Sequence, residues 1–278
     1  KLLIKLSQER DVPIPVYAEM GSLNPVFFTP GALAEKADEL AKAAMDSALL
    51  GSGQFCTKPG IIVVPDDAAG DKFISQVEAH VAAQKVGPLL NKGIASRFTD
   101  AISSLTKSKG LKVISGTNNP DGFGVTPTIF VVNWSDVKNH HDLLEEHFGP
   151  TSVIIRAPFD QFLTVAGAME GQLTAALHAA AGENVKDLVA KLSQLAGRVI
   201  WNGFPTAVSV TAAQNHGGQW PASSTHTTSV GLDALYRFVR PVVYQNFPDN
   251  QLPAELQNGN PYGIERVING ERSNKAIS

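Results

Sequence analysis

The sequence predicts an α/β layered domain with a mostly parallel sheet flanked by helices. Three observations carry this. Helix-period and strand-like stretches alternate until about residue 204. Several strand-like stretches are nearly continuous apolar runs, as expected for strands covered on both faces. Apolar residues make up 43% of the chain and charged residues 18%, enough for a sizeable core in one large domain or two modest ones.

The elements follow in order. Lys1-Leu2-Leu3-Ile4-Lys5-Leu6 opens a helical stretch to about residue 10, without the usual Ser, Thr, Asp or Asn cap. Residues 16–18 read as a short strand. Leu33, Ala37, Leu40, Ala41, Ala44, Met45, Ala48 and Leu49 then recur at helical spacing. Thr29-Pro30 marks the start of that helix, because proline is tolerated in a first turn. Residues 61–64 form a β-branched run. Helices are expected over 71–84 and 91–106, and strands over 112–114, 128–132 and 152–155. A helix over 160–169 and a strand over 173–177 come next. The last helix, 184–195, takes Asn184 as its N-cap and Gly197 near its stop, and a strand over 198–201 follows. Gly, Ser, Thr, Asn and Pro dominate 204–229, and short strands and Pro-rich turns fill the region from residue 240 onward. The chain holds no internal repeat or low-complexity tract.

The net charge of −3 argues against a nucleic-acid surface or a basic membrane-binding face. No apolar run approaches the ~18 residues that span a bilayer. No signal-peptide pattern opens the sequence, and a single cysteine without a disulfide framework fits a reducing cytoplasm.

That cysteine, Cys56, is the most informative residue. It lies in Gly51-Ser52-Gly53-Gln54-Phe55-Cys56-Thr57-Lys58-Pro59-Gly60, between a long amphipathic stretch and a β-type run. Glycines let the backbone turn sharply there. Taken alone, Cys56 is equally readable as a buried hydrophobe or as a nucleophile. Glu19 stands in Pro15-Val16-Tyr17-Ala18-Glu19-Met20-Gly21-Ser22, at the end of the short strand expected before it. A carboxylate at such an edge opens onto the crevice where α/β sheets bind ligands; a solvated loop glutamate is the plainer reading. Two further segments are Glu145-Glu146-His147-Phe148-Gly149-Pro150 and Arg198-Val199-Ile200-Trp201-Asn202-Gly203.

In this order and at these distances, the segments resemble the catalytic half of the aldehyde dehydrogenase superfamily. The resemblance covers nearly the whole chain. It rests most specifically on Gly53-Gln54-Phe55-Cys56 together with the Glu145 to Pro150 segment. Two positions depart from the family pattern: Ser22 replaces a glycine after Glu19, and the late Phe-Gly-Gly segment reads Asn215-His216-Gly217-Gly218-Gln219-Trp220. These variants are similar to the branch of α-ketoglutaric semialdehyde and NADP-using aldehyde dehydrogenases.

The resemblance implies that Cys56 attacks an aldehyde, that hydride passes to NAD or NADP, and that Glu19 activates water to hydrolyse the resulting thioester to a carboxylic acid. It implies that Glu146 and Phe148 hold the nicotinamide ribose and that the Met20 carbonyl receives the carboxamide; Asn202 is read as structural. It implies a homodimer or homotetramer acting on a small aldehyde, with no nucleic-acid or membrane partner and no metal. Residues 1–22 correspond to a remnant of the cofactor domain, 23–235 to the catalytic domain, and 236–278 to a C-terminal segment with a possible oligomerisation strand at 242–246 or 266–268. The phosphate-binding turn, the residues that read the 2′-position and the oxyanion asparagine fall outside this stretch. The chain by itself is therefore expected to be inactive.

Two rivals come from other classes: a catalytically silent fragment that only self-associates, and a cysteine hydrolase using a Cys–His pair. Nothing in the sequence places any of the seven histidines beside Cys56. His140, His141, Asp142 and Glu145 read as a solvated polar cluster rather than a metal site.

Overall fold

The computed structural model describes residues 1–277, apart from the side chain of His141. The chain divides into two compact units, Lys1–Arg237 and the residues from Phe238 onward.

In the first unit, α1 (Leu2–Gln8) precedes β1 (Val26–Phe28), α2 (Pro30–Leu49), β2 (Ile61–Pro65), α3 (Ala68–Ala82) and α4 (Lys92–Leu105). Next come β3 (Lys112–Ser115), β4 (Thr128–Asn133), the single turn α5 (Trp134–Val137) and β5 (Thr151–Ala157). α6 (Phe162–Gly167), β6 (Gln172–His178), α7 (Lys186–Leu195) and β7 (Ala196–Trp201) complete it. The seven strands form one sheet in the order β3-β4-β5-β2-β1-β6-β7. Every pair is parallel except β3 with β4.

Both faces of the sheet are covered, which is why its central strands read as unbroken apolar runs. On one face Val26, Phe28, Ile62 and Val64 pack with α2 and α3 through Leu33, Ala41, Met45, Phe73 and Val77. On the other, Phe27, Ile61, Val63 and Phe130 pack with Phe162 and Val165 of α6 and Leu188 and Leu192 of α7. Helix starts follow the caps in the sequence. The Thr29 hydroxyl accepts from Ala32 N–H, the Asp67 carboxylate from Ala69 and Gly70, and Asn91 from Ile94. The Glu183 carboxylate also takes the Gly31 N–H at 3.0 Å and the Thr29 hydroxyl, placing negative charge at the positive end of α2.

Four sequence expectations are corrected. Residues 16–18 are not a sheet strand; they run beside the 222–224 segment, with Ser224 N–H donating to Ala18 O at 2.9 Å and Glu19 bridging Ser223. The central strand nearest that position is β1, too short and too close to Pro25 to announce itself. α7 passes into β7 without a glycine stop, since Ala196 is already extended, and its N-cap position is Val185 rather than Asn184, whose Oδ1 accepts the Lys186 N–H at 3.5 Å. Gly197 instead lies within β7, where a Cβ would sit 2.2 Å from Gly217 O. Finally, 242–246 forms no strand, whereas in the second unit β8 (Arg266–Ile268) pairs with β9 (Glu271–Ser273) as a hairpin. The Asn260 amide braces that unit, donating to Ile264 O and Asn274 O.

Candidate active site

The Cys56 loop is built from backbone strain. α2 runs into a 3-10 turn over Leu50–Gly53 whose residues 51, 52 and 53 have φ of +58°, +59° and +67°. Glycine takes this region without steric cost, so two of the three positions are glycine. At Gly53 the space also forbids a side chain: a Cβ would lie 2.1 Å from Gly149 O and 2.8 Å from Pro150 Cα. Gly53→Ala is expected to cost about 3 kcal/mol or more, since it combines overpacking with an unfavourable φ. Urea denaturation of the variant checks this; an unchanged midpoint would contradict it.

Beyond the turn, Cys56 is exposed and its thiol free. Its carbonyl is held from below by Asn24, whose Nδ2 donates to Cys56 O and Lys58 O at 2.9 Å each. Asn24 is fully buried at φ +47°. Gln172 Oε1, at the start of β6, accepts from Leu23 N–H (2.6 Å) and Asn24 N–H (3.0 Å) and so fixes that turn. The nucleophile loop is thereby tied to the sheet.

His216 closes the site. Cys56 Sγ lies 3.6 Å from His216 Nε2, and the same nitrogen lies 3.0 Å from Glu19 Oε2. The ring is buried, and its backbone N–H donates to Thr228 Oγ1 at 2.8 Å. Hydrogen bonding to the Cys56 sulfur, then to Glu19, raises the His216 imidazole to about 9 against the opposing effect of burial. The same contact, chiefly its hydrogen bond, lowers the Glu19 carboxyl although burial works against it. At neutral pH the pair is an imidazolium and a carboxylate, and the Cys56 sulfur lies against the imidazolium. An imidazolium is the counter-charge that a thiolate nucleophile requires.

The sign of the pH dependence follows. The folded-state His216 value lies above its ordinary 6.5, so the stability it contributes is complete below pH 6.5 and is lost as pH rises through about 9. Glu19 is depressed, so its contribution holds above its ordinary 4.5 and is lost as pH falls below that. The stability difference between the wild type and His216→Gln should therefore be largest near pH 5–6 and shrink toward pH 10. A flat difference across that range, measured by urea denaturation, would contradict the assignment.

Glu146 is joined to this centre from the next loop. Burial raises its carboxyl, opposed by the Lys58 charge and a bond from the Ser22 backbone. Lys58 is buried beneath the cysteine loop and donates to Thr151 O (2.7 Å) and His147 O (3.3 Å). Burial pulls its ammonium down to about 8, against the pull of Glu146. Gly21 passes close above Glu146; a Cβ there would meet Glu146 Oε2 at 2.8 Å. Met20, Gly21 and Glu146 share a cleft of about 620 Å³ with Met169 and Pro221. Phe148 is exposed and lies outside that lining. Asn202 has a structural part: its amide exchanges hydrogen bonds with the Ala179 backbone.

Of the residues singled out in the sequence, the fold brings Cys56 and Glu19 together and places Met20 and Glu146 in the adjoining cleft. It adds His216, Asn24, Gln172 and Lys58. His216 had a visible signal, a titratable residue where the resembled family has phenylalanine. Gln172 and Asn24 had none, because Gln172 acts across 148 and 149 residues of chain and Asn24 across 32 and 34. Among the described residues, the grouping whose atoms could jointly reach a metal ion is Glu19, Cys56 and His216, all within 4.8 Å of one another. His216 Nε2 faces both the Cys56 sulfur and the Glu19 carboxylate, while its buried Nδ1 has no hydrogen-bond partner among the described residues. The His141 side chain lies outside the described residues.

Comparison with known proteins agrees. Residues 4–242 match the aldehyde dehydrogenase family. Alpha-ketoglutaric semialdehyde dehydrogenase 2 of Azospirillum brasilense is 38% identical over 97% of this chain and 52% of its own length. The alpha-ketoglutaric semialdehyde dehydrogenase of Acinetobacter baylyi is 38% identical over 96% of this chain and 52% of its own. The chain thus spans about half the length of the curated relatives it matches. Among solved structures, a Bradyrhizobium japonicum proline utilization A mutant superposes with a TM-score of 0.73 at 22% identity, covering 85% of this chain and 24% of that one. A Thermus 1-pyrroline-5-carboxylate dehydrogenase with bound NAD gives 0.68 at 20% identity, covering 80% and 43%. At these identities the structural likeness concerns the fold.

Proposed function

Because the chain belongs to the aldehyde dehydrogenase family, we propose that it supplies the catalytic half of an enzyme that oxidises a semialdehyde, α-ketoglutaric semialdehyde foremost, to a carboxylic acid with NAD+ or NADP+. The observation that carries this is the convergence of Cys56 Sγ, His216 Nε2 and Glu19 Oε2 at 3.6 and 3.0 Å.

The Cys56 thiolate attacks the aldehyde carbon, and a C–S bond forms as the carbonyl electrons move to oxygen. When bound, the nicotinamide supplies the hydride acceptor that converts this adduct to a thioester. Glu19 then takes a proton from an attacking water, and collapse of the tetrahedral adduct releases the acid and returns the electron pair to the Cys56 sulfur. His216 carries the positive charge that accompanies the thiolate at both ends of this sequence. Asn24 holds the Cys56 carbonyl and so keeps the loop that carries the sulfur from reorienting.

The residues present fit a nicotinamide nucleotide at the cleft edge. Glu146 would accept from ribose hydroxyls, the Met20 carbonyl from the carboxamide, and exposed Phe148 would flank the ribose. Residues 1–22 belong with a cofactor domain, 23–235 form the catalytic domain, and 236–278 assemble copies into a cytoplasmic dimer or tetramer. No helix among the described residues is long and apolar enough to cross a membrane.

A second reading has a specific observation in its favour. A thiol 3.6 Å from an imidazole is also the pair that a cysteine hydrolase uses, with Glu19 here on the same ring nitrogen as the sulfur. Nicotinamide dependence separates the two. A polypeptide joining this sequence to a cofactor domain should reduce NAD+ or NADP+ with a semialdehyde. Ester or peptide hydrolysis without any nicotinamide-dependent oxidation would favour the hydrolase.

A further inference from the structure

Cys56, His216 and Glu19 come from three segments that are each fixed separately. The Cys56 carbonyl is held by Asn24 Nδ2 at 2.9 Å. The His216 backbone donates to Thr228 Oγ1 and accepts from Ser229 N–H, both at 2.8 Å. Beside Glu19, Met20 N–H donates to Ala222 O at 2.8 Å. One sulfur, one ring nitrogen and one carboxylate oxygen thereby stand within 4.8 Å of one another.

The geometry asks more of His216 Nε2 than a proton can give. This nitrogen faces Cys56 Sγ at 3.6 Å and Glu19 Oε2 at 3.0 Å. A ring nitrogen carries at most one hydrogen, which bonds well to only one of the two. A metal ion between them bonds all three atoms at once. Tetrahedral zinc, with Zn–S of about 2.3 Å and Zn–N and Zn–O of about 2.0–2.2 Å, sets S and N about 3.6 Å apart and N and O about 3.4 Å apart. The first spacing is already present, and the second needs a small movement of the Glu19 side chain, which is partly exposed.

The donor set selects the ion. Thiolate and carboxylate supply two negative charges, and sulfur with imidazole suits zinc, whereas magnesium and calcium take shells of oxygen. His216 is only 7% exposed, so its nitrogen is placed in advance. Cys56 and Glu19 open to solvent, which leaves the fourth position to water. The second ring nitrogen of a zinc-bound histidine usually donates to an acceptor, and the buried His216 Nδ1 has none among the described residues. Such a site holds its ion reversibly.

We propose that Cys56, His216 and Glu19 form a reversible zinc site that switches the nucleophile off. Zn–S, Zn–N and Zn–O bonds form, the proton between Nε2 and the sulfur leaves to water, and the sulfur electron pair is withdrawn from aldehydes. The switching rests on the reading of Cys56 as the nucleophile; the coordination does not.

The test uses the 278-residue chain, with zinc chloride and cobalt chloride as probes. Iodoacetamide alkylation of Cys56 is timed against buffered free zinc. Thiolate-to-cobalt charge-transfer absorbance reports coordination independently of reactivity. Zinc should slow alkylation at least about tenfold, a chelator should restore the rate, and magnesium at about a hundredfold higher concentration should leave it unchanged. Glu19→Gln and His216→Gln should each raise the half-protecting zinc concentration at least about tenfold, read against the variant's own metal-free rate. Cys56→Ala should abolish the cobalt band. Glu19 is partly exposed, so its variant keeps the test decisive if loss of the buried ring unfolds the other. No cobalt band in the wild type, a band that survives in Cys56→Ala, or magnesium protecting as well as zinc would overturn the site. So would zinc protection that stays within about twofold in Glu19→Gln, because the ion would then sit on the sulfur without the carboxylate. In each of these cases fast metal-free alkylation leaves the nucleophile reading standing. A wild type that gives the cobalt band while its metal-free Cys56 reacts no faster than free cysteine would overturn that reading, and the switch with it.

Discussion

Cys56→Ala, in a polypeptide that joins this sequence to a cofactor domain, should abolish semialdehyde oxidation, with kcat falling by at least about 10⁴-fold. The magnitude follows from the kind of step lost. Without the sulfur there is no covalent adduct, and hydride would have to leave an aldehyde hydrate, a far poorer donor than a thiohemiacetal anion. The fold should tolerate the change, because Cys56 is exposed and its loop is held by backbone contacts to Asn24 and by the Gly53 turn rather than by the thiol. Stopped-flow absorbance of the reduced nicotinamide and a urea midpoint, measured on the same preparation, separate lost chemistry from lost folding. Turnover above about one per cent of wild type would remove Cys56 from the mechanism.

Glu19→Gln should separate the two halves of the reaction. The burst of reduced nicotinamide should persist, because acylation needs the thiolate and not the carboxylate. Steady-state turnover should fall by about 10²- to 10⁴-fold, the usual contribution of a positioned general base. The variant has a second signature. Glu19 helps hold the His216 imidazole up to about 9, so its removal should lower the pH at which the His216 ring signals titrate in an NMR pH series. Loss of the burst along with turnover would mean that Glu19 acts before deacylation.

Much of the fold was legible because the physics is local. The 3.6-residue recurrence in α2, the Thr29-Pro30 start and the unbroken apolar run of β2 each depend on neighbours in sequence. What escaped depends on distant chain. β1 has three residues and is a strand because β2 and β6 flank it. The 16–18 segment has the apolar character of a strand, but its hydrogen bonds go to the 222–224 loop. The site divides in the same way. Cys56, Glu19 and Glu146 sit in segments whose order and spacing were informative. His216 was visible as a departure, yet only the fold places its ring between sulfur and carboxylate. Lys58, two residues from the nucleophile, gave no hint of bonding to the carbonyls of His147 and Thr151, since that requires the two loops to be stacked.

The most direct test of the central claim is the intact mass of the Glu19→Gln polypeptide with its cofactor domain, quenched in acid during turnover with a semialdehyde and NAD+ or NADP+. An acyl thioester on Cys56 predicts an increment equal to the aldehyde mass less two hydrogens. It should map to the peptide containing Cys56, be absent without nicotinamide, and be absent when Cys56 is alanine. No increment, or one on any other residue, would contradict the account.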